Sequence, residues 1–452
     1  MTSNPSGNSR FLGRSFQRLA RFQPDETGAV IAAFAYLFVL FASYFMLRPV
    51  RETMGITGGV RNLQWLFTAT FVSMLIAVPI FGAVTARFSR TVFVPWVNGF
   101  FILNMLIFAI LFKFRPEDVW TARVFYVWLS VFNLFVVSVA WSVMVDVFQP
   151  EQGRRLFAFI SAGASLGGLV GPVIGGLLVE PLGYSGLMAL SALMLGLTVF
   201  CIRTLIRWRG RAGAGAVSGS LAAGENPERA MGGNLFAGVS LTAKSPYMLG
   251  ISAFVILLAT ASTFLYFDQA RMVAQAFPAR TQQTQVFSAI DFIVQALAIT
   301  IQLFFTARIA ARLDVVGLLV SVPLLMVGGF IALSIAPVFS VLAVVMVVRR
   351  TGEYALVRPA REMLFTTVNV ETKYKAKNFI DTVVYRGGDA VSGWAKAGLD
   401  ALGQGFSFVA LIGAILAVLW AWVGFQLGRQ HRSEREEPTA TRIGAVVIAQ
   451  EQ

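Results

Sequence analysis

Apolar stretches of similar length follow one another along the chain, and short polar segments separate them. A helix needs about 20 apolar residues to cross the hydrocarbon core of a bilayer. Stretches of this kind can be drawn at 28–48, 63–85, 91–112, 121–147, 156–180, 184–206, 247–267, 284–307, 315–335, 338–361, 378–401 and 405–427. The pattern predicts an all-α membrane protein with twelve transmembrane helices, because a helix satisfies its own backbone hydrogen bonds in lipid.

The longest polar connection, residues 207–246, divides these stretches into two sets of six. It is rich in Gly, Ala and Ser, which is typical of a flexible linker. The sequence therefore predicts an N-terminal half at 28–206 and a C-terminal half at 247–427. Two six-helix halves joined by a central cytoplasmic loop resemble the layout of major facilitator superfamily (MFS) transporters, and this resemblance implies inverted three-helix repeats within each half.

Both ends of the chain are polar. Residues 1–27 interleave Arg with Phe and Leu, as expected for a basic amphipathic helix on the inner membrane surface, and residues 428–452 form a polar tail. If both ends are cytoplasmic, most of the 37 Lys and Arg residues fall in cytoplasmic segments, as the positive-inside rule requires. We therefore predict cytoplasmic termini, and the net charge of +14 then needs no nucleic-acid partner.

The composition narrows the chemistry that the protein can perform. Apolar residues make up 56% of the chain and charged residues 13%, against about a quarter charged in soluble domains. The single Cys201 excludes an internal disulfide. The single His431 lies in the polar tail, which excludes a His-rich metal site and a buried catalytic imidazole. We expect no metal, no cofactor and no catalytic residues.

One polar pattern, Tyr-x3-Arg-Pro-x-Arg-Glu, occurs twice, at 44–52 and at 354–362. On a helix its four polar positions share one face. The first copy lies near the outer end of the first predicted helix and the second near the inner end of the tenth, so the pattern predicts two opposed gates; chance similarity is the alternative. The polar residues are Tyr44, Arg48, Arg51 and Glu52 in the first copy, and Tyr354, Arg358, Arg361 and Glu362 in the second.

Charged residues are concentrated in the tenth and eleventh stretches. A charge at the centre of a membrane helix costs on the order of 2.5 to 3.5 kcal/mol, so such residues normally face a water-filled cavity or each other. An excess of guanidinium groups over carboxylates favours an anionic ligand held by bidentate contacts. Snorkelling from helix ends is the alternative for Arg358, Arg361 and the lysines. The charged residues of this region are Arg349, Arg350, Glu353, Arg358, Arg361, Glu362, Lys373, Lys375, Lys377, Asp381, Arg386 and Asp389.

Other predicted helices contribute further charges and a glycine pattern. Asp146 ends the fourth stretch, Asp268 and Arg271 end the seventh, and Asp291 lies in the eighth. Each of them faces the same cavity in one interpretation and the membrane interface in the other. The fifth stretch repeats Gly at intervals of four from 163 to 175, which indicates close helix packing and resembles the fifth-helix motif of MFS antiporters.

Three segments, 44–54, 141–163 and 373–381, resemble the nucleotide-transporter (ATP/ADP translocase) family, a divergent branch of the MFS. Arg51 stands where that family has a basic residue in helix one, and Lys375 begins the run that resembles its helix-eleven motif. Acidic residues are expected in helices four and seven, where we place Asp146 and Asp268. Ala376 replaces a glycine of the helix-eleven motif. The resemblance implies a bacterial-type transporter that counter-exchanges nucleotides.

These observations predict a secondary transporter that moves an organic anion, a nucleotide or another phosphorylated or carboxylated solute, across the bacterial inner membrane by alternating access. We expect a monomer in the lipid bilayer, coupled to a proton or a counter-substrate. A proton-coupled exporter of an apolar or cationic compound and a polytopic membrane enzyme are the alternatives. The predicted substrate contacts are Arg51, Arg358, Arg361, Lys375 and Arg386. The predicted gating or proton-coupling residues are Arg48, Glu52, Asp146, Asp268, Arg271, Glu353, Glu362, Asp381 and Asp389.

Overall fold

The computed structural model of the 452-residue chain describes Gln23 and residues 26–87, 90–214, 237–368 and 370–450. The described residues are almost entirely helical. Most of the predicted amphipathic segment 1–27 lies outside them, as do residues 215–236 of the predicted linker. Helices reach into both ends of that linker, to Ala214 and from Ala237, and the last helix continues through most of the predicted polar tail.

Six helices, α1 to α6, form the N-terminal half. They are α1 (Thr27–Thr57), α2 (Leu63–Arg87), α3 (Arg90–Phe114), α4 (Val119–Val147), and the continuous helical segment Pro150–Ala214, which contains α5 (150–182) and α6 (184–214). Gly183 separates α5 from α6 with φ 62° and ψ −177°. This left-handed φ is accessible to glycine at little cost, so the chain reverses between two helices without a longer loop.

Six more helices, α7 to α12, form the C-terminal half. They are α7 (Pro246–Ala276), α8 (Arg280–Phe304), α9 (Thr306–Ile335), α10 (Phe339–Gly352, Glu353–Val357 and Arg358–Leu364), α11 (Val370–Phe379, Ile380–Val384 and Tyr385–Ala401) and α12 (Phe406–Gln450). The middle segments of α10 and α11 are π-helical. A short helix, Ala237–Lys244, precedes α7.

Nine helical segments of the described chain are long and apolar enough to cross a membrane. One of them, Arg155–Gly210, contains both α5 and α6. The helices left out are α10 and α11, which π-helical turns divide into shorter segments. The two predicted spans that carry the most charge are therefore also the two whose helices are interrupted.

Each half has its own apolar core, and a smaller apolar cluster joins the halves. One core combines residues of α1 and α3 to α6, and the other combines residues of α7 and α9 to α12. The joining cluster contains Leu63, Tyr126 and Phe267. Many large apolar side chains, such as Trp96 and Ile335, point outward and are exposed. Large apolar side chains that point outward, on a protein whose cores are also apolar, are typical of a protein that lies in lipid.

The glycines of α5 allow its backbone to touch that of α1. A Cβ atom added to any of four of them would lie 2.4 to 2.7 Å from a backbone oxygen of α1, closer than real Cβ atoms come. These glycines are Gly163, Gly167, Gly171 and Gly175. On another face of α5, Gly168 and Gly176 touch Gln295 and Ser288 of α8. Helix packing therefore accounts for the glycine pattern, because small residues let helix backbones approach closely.

We call the end of the bundle at which α1 begins the N-terminal end, and the other the opposite end. Side chains of the two halves meet near the opposite end, where α1 ends and α2 begins. The contacts are Tyr126–Tyr266 (3.0 Å), Thr53–Thr284 (2.7 Å), Trp394–Thr68 (3.0 Å) and Arg280–Glu117 (3.5 Å). These contacts close the bundle at the opposite end.

Candidate functional site

A cavity of about 680 Å³ lies between the two halves. Seven arginines and four carboxylates line it, together with five tyrosines. The arginines are Arg48, Arg51, Arg349, Arg350, Arg358, Arg361 and Arg386; the acids are Glu52, Glu353, Asp381 and Asp389; and the tyrosines are Tyr44, Tyr126, Tyr266, Tyr354 and Tyr385. The lining therefore carries more positive than negative charge, and charge at membrane depth is expected where water or a ligand compensates it.

Arg51 is held by several groups of its own half. Its Nε donates to Ser130 Oγ at 3.1 Å and to the Tyr126 carbonyl at 3.3 Å, and its Nη1 lies 3.0 Å from Glu52 Oε1. The guanidinium also stacks on the Tyr126 ring, 3.8 Å from its centroid. A guanidinium that makes several hydrogen bonds and a cation–π contact has a fixed orientation.

Asp291 of α8 lies between two arginines that belong to different halves. Its Oδ1 is 2.6 Å from Arg350 Nη1 of α10, and its Oδ2 is 3.7 Å from Arg48 Nε of α1. The carboxylate is buried, with 3% of the residue exposed. This ion triad connects the N-terminal half to the C-terminal half at the depth of the cavity.

Glu353 is likewise shared by two arginines, both on α10. Arg349 Nη1 lies 3.0 Å from Glu353 Oε2, and Arg358 Nε lies 3.9 Å from Oε1. Arg349 Nη1 also donates to Ser262 Oγ of α7 at 2.5 Å. The side chain of Arg358 is 59% exposed and stacks on the Tyr354 ring at 4.6 Å. Arg358 is thus weakly paired and accessible to a ligand.

A proline directly follows the π-helical turn of α10 and Arg358. Pro359 has no backbone N–H, so an α-helical hydrogen bond to the carbonyl of Ala355 cannot form. The N–H of Arg358 instead donates to the carbonyl of Glu353, five residues earlier. Such turns are rare and occur frequently at functional sites. Here the turn lies between Glu353 and Arg358, two residues that line the cavity.

Two further ion pairs of the cavity lie within the C-terminal half. Arg361 Nη2 of α10 is 3.1 Å from Asp381 Oδ1, in the π-helical segment of α11. Arg386 Nη1 is 3.3 Å from Asp389 Oδ2, one turn further along α11, and Asp389 also accepts a hydrogen bond from Thr263 Oγ1 of α7. Each of these two arginines therefore has one carboxylate partner.

The structure brings most of the predicted substrate contacts together. Arg51, Arg358, Arg361 and Arg386 line the cavity, and so do the predicted gating residues Arg48, Glu52, Glu353, Asp381 and Asp389. Lys375 is not among the lining residues: it is partly buried on the first segment of α11, where its carbonyl faces Gly238. Asp146, Asp268, Arg271 and Glu362 also lie outside the lining. Glu362 pairs with Lys377 at 2.5 Å.

Asp268 and Arg271 belong to a separate ionic network between α7 and α11, near the opposite end. Lys396 is 0% exposed, and its Nζ lies 2.9 Å from both Asp268 Oδ1 and Asp400 Oδ1. Arg271 Nη2 pairs with Asp400 at 2.5 Å. Two cations and two carboxylates balance each other in this network, so it joins the two helices without a ligand.

Sequence reasoning placed Arg349, Arg350 and Asp291 among the charges that could face a cavity, but it named none of them as a substrate contact or a gating residue. Asp291 was the most informative of these, because it is the single acidic residue of α8. A lone carboxylate in an apolar helix predicts a buried cation nearby, but the sequence does not identify that cation. Two of the cavity tyrosines, Tyr44 and Tyr354, belong to the repeated pattern. The other three carried no recognisable signal, since aromatic residues are common throughout the chain.

Two known proteins are similar to the chain in sequence. It is 21% identical over 468 residues to ADP,ATP carrier protein 1 of Chlamydia muridarum (strain MoPn / Nigg), covering 88% of this chain and 87% of that protein. It is 25% identical over 177 residues to Multidrug resistance protein MdtG of Rahnella sp. (strain Y9602), covering 38% of this chain and 42% of that protein.

A solved structure and a family model extend this similarity to the fold. The crystal structure of a POT family transporter in complex with 5-aminolevulinic acid superimposes with a TM-score of 0.63 at 12% identity, covering 89% of this chain and 96% of that one. The sequence model of the Major Facilitator Superfamily matches residues 29–360, most of the chain. The protein is a multi-pass membrane transporter, not an enzyme, and it belongs to the major facilitator superfamily.

Proposed function

We propose that the protein moves an organic anion across the bacterial inner membrane by alternating access, with twelve membrane spans and both termini in the cytoplasm. The observation that carries this proposal is the excess of arginines over carboxylates in the cavity between the halves. Guanidinium groups are permanently charged and match carboxylate and phosphate oxygens in geometry. An anion entering the cavity would be attracted, and a cation would be repelled.

The contacts between the halves suggest which side the cavity faces. The hydrogen bonds of Tyr126 with Tyr266 and of Thr53 with Thr284 close the opposite end. Arg358, Arg361 and Asp381, which lie towards the N-terminal end of the bundle, still line the cavity. With cytoplasmic termini, this is an inward-facing state. Opening to the outside requires these hydrogen bonds and the ion pair of Arg48 with Asp291 to break.

Exchange of one anion for another is the coupling that we favour. The cavity residues Arg48 and Asp291 connect the two halves, so an anion that binds Arg48 acts on the contact that must rearrange during transport. A ligand shifts a conformational equilibrium only by its differential affinity for the two states. The similarity to an ADP,ATP carrier protein makes nucleotides the first candidates to examine.

Counterflow into proteoliposomes tests this proposal. Vesicles containing the purified full-length protein are loaded with one unlabelled anion and offered the same anion, labelled, outside. The panel includes nucleotides, sugar phosphates and di- and tricarboxylates. We expect uptake above that of protein-free vesicles for at least one anion, and loss of that uptake in Arg51→Ala. Failure of every anion in the panel would contradict the proposal.

A second candidate function is export of a lipophilic compound. The partial similarity to a multidrug resistance protein favours it, as does the aromatic part of the lining, which includes Phe41, Phe45 and Phe67. The same proteoliposomes, given an outward or inward pH step, are tested for uptake of a labelled lipophilic cation. Uptake of the cation without uptake of any anion would favour this function over anion transport.

A further inference from the structure

The charged residues of the cavity separate into neutral pairs and unbalanced groups. Three arginines each have one carboxylate partner, so these pairs carry no net charge at neutral pH. The pairs are Arg51 with Glu52 (3.0 Å), Arg361 with Asp381 (3.1 Å) and Arg386 with Asp389 (3.3 Å). A ligand that bound only these arginines would have to displace or share a carboxylate that is already in place.

The other four arginines share two carboxylates. Arg48 and Arg350 share Asp291, and Arg349 and Arg358 share Glu353. Each group of two guanidiniums and one carboxylate therefore has a net charge of +1. We call them the Asp291 group and the Glu353 group. The excess positive charge of the cavity is confined to these two groups.

Hydrogen-bond donors in both groups have no partner. Arg350 Nη2, in the Asp291 group, and Arg349 Nε, in the Glu353 group, are buried and make no hydrogen bond to any residue that the structure describes. Both residues are 7% exposed. Leaving a buried charged donor without an acceptor is costly, so such groups normally have a protein, water or ligand partner. Arg361 Nε, in one of the neutral pairs, also has no partner among the described residues. The unsatisfied donors therefore point to an acceptor that enters the cavity, and it is the net charge that distinguishes the two groups.

The two groups are adjacent because both are built on one stretch of α10. Arg349 and Arg350 are neighbours in sequence, and Arg358 follows the π-helical turn that begins at Glu353. The weakest ion pairs of the two groups, at 3.7 Å for Arg48 and 3.9 Å for Arg358, involve residues that line the cavity. Residues of both groups therefore line the same cavity.

We propose that the transported substrate is a small dianion, with one negative charge bound by the Asp291 group and the other by the Glu353 group. This inference rests on the proposed function, transport of an organic anion. A dianion makes the loaded cavity electrically neutral. A neutral cavity is favoured when the halves close around the substrate, because unbalanced charge is costly in a low-dielectric environment. A phosphate monoester and a dicarboxylate share this chemistry.

A charge series on one ring tests the proposal. The series consists of benzoate, isophthalate and benzene-1,3,5-tricarboxylate, which carry one, two and three negative charges at pH 8. Phenyl phosphate is added as a phosphate monoester with two negative charges. Affinity for the purified full-length protein is measured by calorimetry. We expect the better of the two dianions to bind roughly tenfold more tightly than the monoanion and the trianion. Comparison of isophthalate with phenyl phosphate then shows whether the cavity prefers a dicarboxylate or a phosphate monoester.

Variants that change the charge of the two groups should change the preferred ligand charge. Arg350→Gln and Arg358→Gln each remove one positive charge, so the affinity ratio of benzoate to isophthalate should rise, on the order of tenfold. Asp291→Asn adds one net positive charge, so the tricarboxylate should gain relative to isophthalate. Arg358 is exposed, so its substitution keeps the test available if Arg350→Gln does not fold.

Matched controls lie outside the cavity. Arg207→Gln on α6 and Glu180→Gln on α5 remove the same charges at exposed positions and should leave the ligand preference unchanged. A wild-type preference for the monoanion or the trianion would overturn the dianion proposal, as would an unchanged preference in all cavity variants. Both results leave anion transport standing. Absence of any anion binding and of any anion counterflow would instead contradict the proposed function itself.

Discussion

The two copies of Tyr-x3-Arg-Pro-x-Arg-Glu have the same residues but different surroundings. In the first copy, on α1, Arg51 is held by Ser130, the Tyr126 carbonyl and Glu52, and Arg48 reaches Asp291 of the other half. In the second copy, on α10, Arg358 is 59% exposed and Arg361 pairs with Asp381 of the same half. The first copy joins the halves near the closed end, whereas the second lies towards the N-terminal end without joining them.

One sequence pattern can therefore be engaged in contacts at one place in a transporter and accessible at another, in the same conformational state. The first copy is engaged in the present state, and the second has an accessible arginine. If the opposed gates predicted from the sequence exist, the engagement of the two copies should reverse in the outward-facing state. Substitutions in the two copies should therefore have different effects.

The largest effect is expected for Arg51→Ala. It removes a guanidinium with several partners and leaves the partly buried Glu52 without it, so the cost should lie below the roughly 3–5 kcal/mol of breaking a fully buried ion pair. The melting temperature in detergent should fall, and anion uptake should be lost. Arg51→Lys, which keeps the charge but not the fork of donors, should recover stability only in part. A full recovery would mean that charge alone matters at this position.

Arg358→Ala, at the position of the second copy that corresponds to Arg48, should leave stability almost unchanged. Arg358 is exposed and its ion pair with Glu353 is long, at 3.9 Å, so few interactions of the folded state are lost. We expect substrate affinity to fall roughly tenfold, which corresponds to 1.4 kcal/mol. The midpoint of thermal unfolding and the half-saturation concentration for uptake distinguish the two copies. Equal loss of stability in both variants would contradict the comparison.

Glu52→Gln and Glu362→Gln test the gates directly. Glu52 pairs with Arg51, and Glu362 pairs with Lys377 at the start of α11. If the two glutamates belong to opposed gates, the first substitution should favour opening at the opposite end and the second opening at the N-terminal end. The measurement is labelling of single cysteines introduced at each end, in a Cys201→Ser background. If both variants shift accessibility in the same direction, the two copies are not opposed gates.

The smallest effect is expected for the prolines. Pro359→Ala restores a backbone N–H, so the π-helical turn before it can become α-helical and Arg358 changes its position on the helix. Substrate affinity should fall roughly threefold. Pro49→Ala should leave affinity unchanged, because α1 has no π-helical turn at that point. Uptake measurements compare the substrate affinity of the two variants, and hydrogen exchange of residues 353–358 reports whether the π-helical turn has changed.

The apolar pattern predicted the helices well, because the length of a membrane span follows from the thickness of the bilayer. The boundary between the fifth and sixth stretches, for example, coincides with the left-handed Gly183. The arginine-rich side of the cavity could also be predicted, since charged residues in apolar helices normally face a water-filled cavity or each other. Arg358 and Arg361 were assigned in this way, and both line the cavity.

Pairing between distant residues could not be predicted. Asp291 joins Arg48 and Arg350 only because α1, α8 and α10 meet in the folded protein. Lys396 is fully buried against Asp268, a pairing between α11 and α7 that depends on the folded chain. Lys375 was assigned from a family motif, and a motif fixes the position of a residue on its helix but not the direction of its side chain.

The contact between α5 and α8 bears on how fast the protein can change state. Gly168 and Gly176 place a smooth part of α5 against Gln295 and Ser288 of the other half. Large interlocking side chains would have to leave their positions whenever the halves move against each other, whereas a glycine has no side chain that must move. The turnover number, rather than the affinity for substrate, is then the quantity most sensitive to added bulk at these two glycines, and its activation enthalpy should rise with each added methyl group.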